Sequence, residues 1–157
     1  MYLYLLRHAE AGEAPRDQDR ELTAHGREQA DAVAAGIAWL DLGLSRIVSS
    51  PLPRAVQTAQ PVAHAVGVPL DIAGALATGH GPSEALALPA RHDDPVLLVG
   101  HEPQLSEIIL TVTGGRVHMR KALLAAIEVS SPEEMQGMLA WLLSWRHLQR
   151  MGGKKKK

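Results

Sequence analysis

Apolar residues along this chain follow two rhythms, unbroken runs and spacings of three to four. Tyr2-Leu3-Tyr4-Leu5-Leu6 and Val96-Leu97-Leu98-Val99 are unbroken runs of strand length, and each predicts a parallel strand buried on both faces. Both runs give way to a histidine, at Arg7-His8 and at Gly100-His101. Shorter strands are predicted around Arg46-Ile47-Val48 and at Leu70-Asp71-Ile72. Between them the helical rhythm takes over. Thr23 is a suitable N-cap for a helix that carries Ala30, Val33, Ala34, Ile37 and Leu40 on one face to about Leu42, with Gly43 as its stop. Pro53 opens a second helix with Val56, Ala59, Ala63 and Val66, and Pro61 predicts a kink or an end near Gln60. A modest helix is expected from Ser83 to Ala90. A clearer one carries Leu105, Ile108, Ile109 and Val112 and closes at Gly114-Gly115. Ala122 to Val129 and Met138 to Leu143 flank the turn-like Ser130-Ser131-Pro132 and read as an edge hairpin, with a helical alternative for the second segment.

Strands alternating with helices, then a terminal pair, predict an α/β fold: a three-layer α/β/α sandwich whose central sheet is mostly parallel with an antiparallel edge. At 157 residues the chain fits one domain, expected over residues 1–150, with 151–157 a flexible lysine-rich tail. In open α/β sheets ligands bind beyond the carboxyl ends of the strands. The two strand-end histidines are therefore expected in one crevice.

Composition narrows the chemistry. There is no cysteine, so disulfides, thiolate metal sites and thiol nucleophiles are out of reach. The formal net charge of -1 argues against a nucleic-acid footprint. The leading apolar run is too short for a secretory signal or membrane span, so the expected location is cytoplasmic.

Convergence of the strand ends would gather Arg7, His8, Arg54 and His101 into a cationic cup. Guanidinium forks and an imidazole suit a phosphoryl group, whose transfer spreads charge over three equatorial oxygens. The remaining imidazole can then attack phosphorus. Positive neighbours keep it unprotonated near neutral pH, and a hydrogen bond from one ring nitrogen aims the other. A metal site fits poorly, because arginines beside both candidate ligands repel a cation.

Four motifs in order carry a family resemblance. Leu6-Arg7-His8-Ala9-Glu10 resembles the Arg-His-Gly signature of the histidine phosphatase (phosphoglycerate mutase-like) superfamily, with Ala9 in the glycine position. Leu22-Thr23-Ala24-His25-Gly26 resembles its helix start, Ser49 to Ala59 its second-arginine motif, and Gly100-His101 its second histidine. The short chain and the stretch Val99 to Ser106 are similar to the SixA-type phosphohistidine phosphatases. The resemblance implies a phosphoglycerate mutase-like fold and no metal or organic cofactor. It makes His8 the nucleophile that becomes phosphorylated, and Arg7, Arg54 and His101 the phosphate clamp. The implied substrate is phosphohistidine in a protein of the histidine phosphotransfer type. Alternatives on the same scaffold are a phosphatase for a small phosphorylated metabolite and a non-catalytic phosphohistidine reader.

The chain departs from the mutases in its proton donor. The segment between the second arginine and second histidine motifs is short, and it offers Glu84 and His80. Glu84 equally suits the first turn of a helix, and His80 a solvated loop. Glu10, Glu13, Asp17 and Asp19 either reach the pocket mouth or face solvent. Arg20 either lines the pocket or serves helix entry, and Lys121 either adds charge near the mouth or guards a sheet edge. Trp39, Trp141 and Trp145 read as core or subunit-contact residues.

Overall fold

The computed structural model describes residues 1–89 and 94–154. Six strands form one sheet: β1 (Tyr2–Arg7), β2 (Arg46–Ser49), β3 (Leu70–Ile72), β4 (Val96–Gly100), β5 (Leu124–Ser131) and β6 (Gln136–Leu143). Their spatial order is β3-β2-β4-β1-β5-β6. The first four run parallel, while β5 pairs antiparallel with β1 and β6 with β5, forming the expected antiparallel edge. Among the described residues, five α-helices accompany them: α1 (Ala24–Leu40), α2 (Pro53–Val66), α3 (Pro82–Leu86), α4 (Gln104–Thr113) and α5 (Trp145–Gly152).

The unbroken apolar runs are explained by burial on both faces. Leu3 and Leu5 of β1 and Val96 and Leu98 of β4 join Leu105, Ile108 and Ile109 of α4 in one core. Their alternate neighbours Tyr4, Leu6, Leu97 and Val99 join Ile37 of α1, Ala59 and Val62 of α2, and Leu148 of α5 in the other. Two cores, one on each side of a shared sheet, make the three-layer α/β/α sandwich.

Several element boundaries differ from expectation for local reasons. Pro61 lies inside α2, which continues to Val66 because Ala55, Ala59 and Val62 are buried along it and Gly67, at φ 70°, caps its end. That packing outweighs the one backbone donor proline lacks. Helix α1 stops at Leu40, because Asp41 takes the left-handed cap at φ 54° and returns its N–H to Ile37, ahead of Gly43. Helix α3 ends at Leu86, and the expected terminus at Ala90 lies outside the described residues. Strand β5 begins at Leu124 because Ala122, at φ 56°, bends the chain there. The segment from Met138 is a strand, paired with β5 along its length.

Helix α5 is an element that hydrophobic spacing left unread. The expected boundary at residue 150 falls inside it, and Lys155 to Lys157 lie outside the described residues. Ser144 caps it by accepting from the His147 N–H. Leu148 is fully buried against α1, and a Cβ at Gly36 would lie 2.5 Å from the Leu148 Cβ. Close approach of the two helices thus requires glycine at position 36.

Candidate active site

Register decides what the strand ends bring together. Arg7 is the pairing partner of Gly100, and Ser49 that of Val99, so β1, β4 and β2 finish level with one another. The backbone continues this alignment past the strands: the His8 N–H donates to Gly100 at 3.0 Å, and the Ser50 N–H to Val99 at 2.9 Å. His8 and His101 consequently lie side by side, with ring centroids 5.1 Å apart. The order β2-β4-β1 is a change in winding direction of the sheet, the position where open α/β sheets form their crevice.

Each polar side chain here is held by its neighbours. The His8 Nδ1–H donates to the Ala9 carbonyl at 2.7 Å, which leaves Nε2 as the ring nitrogen with its lone pair available. Ala9 is fixed in turn, because its N–H donates to Thr58 Oγ1 at 3.0 Å and that hydroxyl donates to the Arg54 carbonyl at 2.8 Å. Thr58 therefore ties the turn that bears His8 to the helix that carries Arg54. Ser50 Oγ lies 2.7 Å from His101 Nε2, orienting the second imidazole. Arg7 donates from Nη1 to the Met119 carbonyl at 3.0 Å. Gly26 explains why the helix start is so close to this turn. A Cβ there would fall 2.0 Å from the Glu10 carbonyl oxygen, while Thr23 caps α1 by accepting from the Gly26 N–H.

His8, Arg54 and His101 are 4%, 3% and 3% exposed. Burial and then the charges of His101, Arg54 and Arg7 push the His8 pKa down to about 3, against a raising contribution from the Ala9 carbonyl. Burial and then Arg54 and Arg7 push His101 down to about 4, with Asp17 opposing them. Both rings are neutral at pH 7. Burial also lowers the Arg7 pKa, Glu102 acting against it and Arg20 and Arg54 with it. Among the described residues, the buried side-chain atoms without a hydrogen-bond partner include Arg7 Nε, Arg54 Nε and His101 Nδ1, on the three residues whose charges act on His8. Leaving such donors unpaired is costly, and an oxyanion bound beside His8 would relieve that cost.

Arg20 and Asp17 occupy the rim. Asp17 accepts from Arg54 Nη1 through its backbone oxygen at 2.8 Å and from Nη2 through its carboxylate at 3.1 Å. Its other carboxylate oxygen accepts from Arg20 Nη1 at 3.2 Å. Partial burial would raise the Asp17 pKa, but the hydrogen bonds from Arg54 and Arg20 outweigh it and hold the carboxyl below its usual range. Arg20 itself is anchored by Nε to the Gly12 carbonyl at 2.8 Å. Glu84 and His80 sit apart from this network and pair with each other at 2.5 Å, both side chains open to solvent at 55% and 39%. Their segment is tethered near His101 by Gln104, which donates to the carbonyls of Ala75 and Gly81. The tryptophans are half-buried: Trp141 packs on Tyr4, and Trp145 stands edge-on to His25.

Comparison with known proteins agrees with this arrangement. The model of the histidine phosphatase superfamily (branch 1) matches residues 3–81. The chain belongs to that family. An uncharacterised protein of the cyanobacterium Picosynechococcus is 34% identical over 78% of this chain and 81% of its own. Among solved structures, the protein histidine phosphatase SixA complexed with tungstate superposes with a TM-score of 0.84 at 22% identity, covering 94% of this chain and 99% of that one. A phosphoserine phosphatase of Entamoeba histolytica in complex with 3-phosphoglyceric acid superposes with a TM-score of 0.69 at 19% identity, covering 94% and 98%. This histidine phosphatase shares the phosphoglycerate mutase-like fold with both.

Sequence reasoning passed over the roles of Ser50, Thr58 and Gln104. The first two lie inside the second-arginine motif, at one residue after β2 and one turn after Arg54, so their proximity to the turn was available from strand position. Gln104 had no such signal, since its partners sit in the weakly patterned stretch before α3.

Proposed function

We propose that this histidine phosphatase removes phosphoryl groups from phosphohistidine in a protein through a covalent phospho-His8 intermediate. The observation that carries the reading is the His8 ring itself, neutral, fixed by Nδ1 to the Ala9 carbonyl, and surrounded by Arg7, Arg54 and His101. The Nε2 lone pair attacks phosphorus while the bond from phosphorus to the substrate imidazole breaks. A substrate ring protonated on its other nitrogen departs as neutral imidazole and demands no proton from the enzyme. Water then attacks phospho-His8, releasing inorganic phosphate and restoring the neutral ring. Arg7 and Arg54 supply the positive charge, and the neutral His101 ring a further donor, that the equatorial oxygens need. Arg20 adds a further guanidinium at the rim, and no metal or organic cofactor has a step to perform.

The substrate assignment is supported by the seat of the acids. Glu84 and His80 are exposed and paired with one another, away from the hydrogen-bond network of the clamp, an arrangement that suits a leaving group needing little protonation. A small phosphate ester on the same scaffold would need a donor there. The test is to incubate wild type and His8→Ala with a histidine-phosphorylated protein and quench in base, where phosphohistidine survives. Wild type should turn over and carry transient acid-labile phosphate on His8. His8→Ala should lose activity by about a thousandfold or more. Turnover without label on His8 removes the covalent mechanism, and efficient hydrolysis of sugar phosphates with none of phosphohistidine replaces the substrate.

A further inference from the structure

One charged surface beside the cradle has no part in the clamp. The segment between α4 and β5 carries Arg116, His118, Arg120 and Lys121, all four exposed, while Val117 is half-buried and Met119 fully buried in the core beneath. It is anchored to the site at two points: the Met119 carbonyl accepts from Arg7 Nη1, and the Ala122 N–H donates to the carbonyls of Arg7 and His8 at 3.1 and 3.2 Å. Among the described residues, none of these four basic side chains forms an ion pair within 4.0 Å. Glu107 shares a shallow surface depression with Arg116 and still makes no such pair with it.

The rest of the rim has the opposite character. Residues 10–21 hold Glu10, Glu13, Asp17, Asp19 and Glu21 against Arg16 and Arg20, and both of those arginines are already paired with Asp19 and Asp17. That loop is fastened to Arg54, at the head of the helix that follows β2, whereas the basic segment leads into β5 on the other side of β1. The mouth is thus electrostatically polarised. Six residues of chain reach at most about 20 Å, several times the width of one phosphoryl group, so four basic side chains spread along them offer more contacts than a small phosphoester can use. Unpaired like charges held together on a surface are retained at a cost that an oppositely charged partner relieves, and such strips raise association rates and fix orientation.

We propose that Arg116, His118, Arg120 and Lys121 form a docking strip for an acidic protein surface that carries the phosphorylated side chain into the cradle. The proposal rests on the phosphatase reading and specifies how its protein substrate is held. The test compares wild type with the triple charge reversal Arg116→Glu/Arg120→Glu/Lys121→Glu on two probes, an acidic protein phosphorylated on histidine by phosphoramidate and free phosphohistidine. The reversal should raise KM for the protein by about tenfold or more and flatten its dependence on salt, while kcat and the hydrolysis of free phosphohistidine stay within about twofold. The neutral variant Arg116→Gln/Arg120→Gln/Lys121→Gln should show a smaller rise in KM, and it replaces the reversal if that variant fails to fold. Unchanged kinetics on the protein, or equal losses on both probes, overturns the docking strip. Wild type that hydrolyses free phosphohistidine but not the protein overturns it while leaving the phosphatase intact. Wild type inert toward both overturns the phosphatase reading, and the strip with it.

Discussion

The cradle at the ends of β1, β2 and β4 and the His80–Glu84 pair before β4 both carry groups able to work on a phosphoryl transfer, yet they are built differently. In the cradle, His8, Arg54 and His101 are buried and each is held in place, His8 by the carbonyl of the adjacent Ala9, Arg54 by Asp17 and His101 by Ser50. His80 and Glu84 are largely open to solvent and, among the described residues, their side chains bond only each other. Even a fully charged exposed pair contributes only about 0–1 kcal/mol, too little to fix two solvent-exposed side chains in one geometry. Catalytic groups act by being in place before the reaction begins, which the cradle achieves and the exposed pair does not. This difference supports the proposed reading, in which the chemistry belongs to His8 and the groups around it and little is asked of an acid.

The sharpest way to break this comparison is to remove a buried guanidinium. Arg54→Ala takes away a buried guanidinium whose Nε has no hydrogen-bond partner among the described residues, and it also releases Asp17 from its main anchor. Loss of an electrostatic donor of this type costs about 100- to 1000-fold in kcat/KM, with the folded state checked by thermal melting. A loss below about tenfold would mean that the cradle does not carry the transition-state charge.

Acid tests the same contrast through burial. His8 and His101 are pushed down to about 3 and about 4 from a usual value of 6.5, so the folded protein binds fewer protons than the unfolded chain in the window between them. Stability therefore rises with pH there: the contribution is complete above about 6.5 and is lost as pH falls to about 4 for His101 and about 3 for His8. Histidine NMR should show neither ring titrating above pH 5, and the melting temperature should begin to fall below about pH 6.5. Titration of His8 near its ordinary value would remove the neutral nucleophile from the account.

The same physical contrast explains what was legible in the sequence. Long runs such as Leu3 to Leu6 and Leu97 to Val99 pack on both faces, and burial of that kind leaves an unmistakable pattern. With strands placed, Arg7, His8 and His101 follow by position alone, and the motif order adds Arg54. Elements too short to set a rhythm were harder to read. Helix α5 is eight residues long; Leu148 is fully buried with Trp145 and Met151 packed beside it, and its glycine contact with α1 emerges only in three dimensions. Asp17 was visible as a loop acid, but its grip on Arg54 crosses 37 residues and leaves no spacing signal. Pro61 misled because helix rules weigh a lost hydrogen bond, whereas α2 is held by the core beneath it.

The smallest effect is expected at the exposed pair, and it is the most informative about substrate. Glu84→Gln removes the carboxylic acid but keeps its shape and its place in the first turn of α3, and His80→Ala removes its partner. On a phosphohistidine substrate, whose imidazole leaves without help, each change should alter kcat by less than about threefold, since a general acid contributes only where the leaving group needs its proton. On an alkyl phosphate, where an alkoxide would otherwise leave, the same variants should be compared directly. A tenfold or larger drop in kcat for phosphohistidine with Glu84→Gln would make that carboxyl a proton donor and erase the division of labour between the buried cradle and the exposed pair. A drop confined to the alkyl phosphate would instead show that the pair matters only for substrates with poor leaving groups, which is the behaviour expected of an enzyme whose clamp alone suffices for a phosphorus–nitrogen bond.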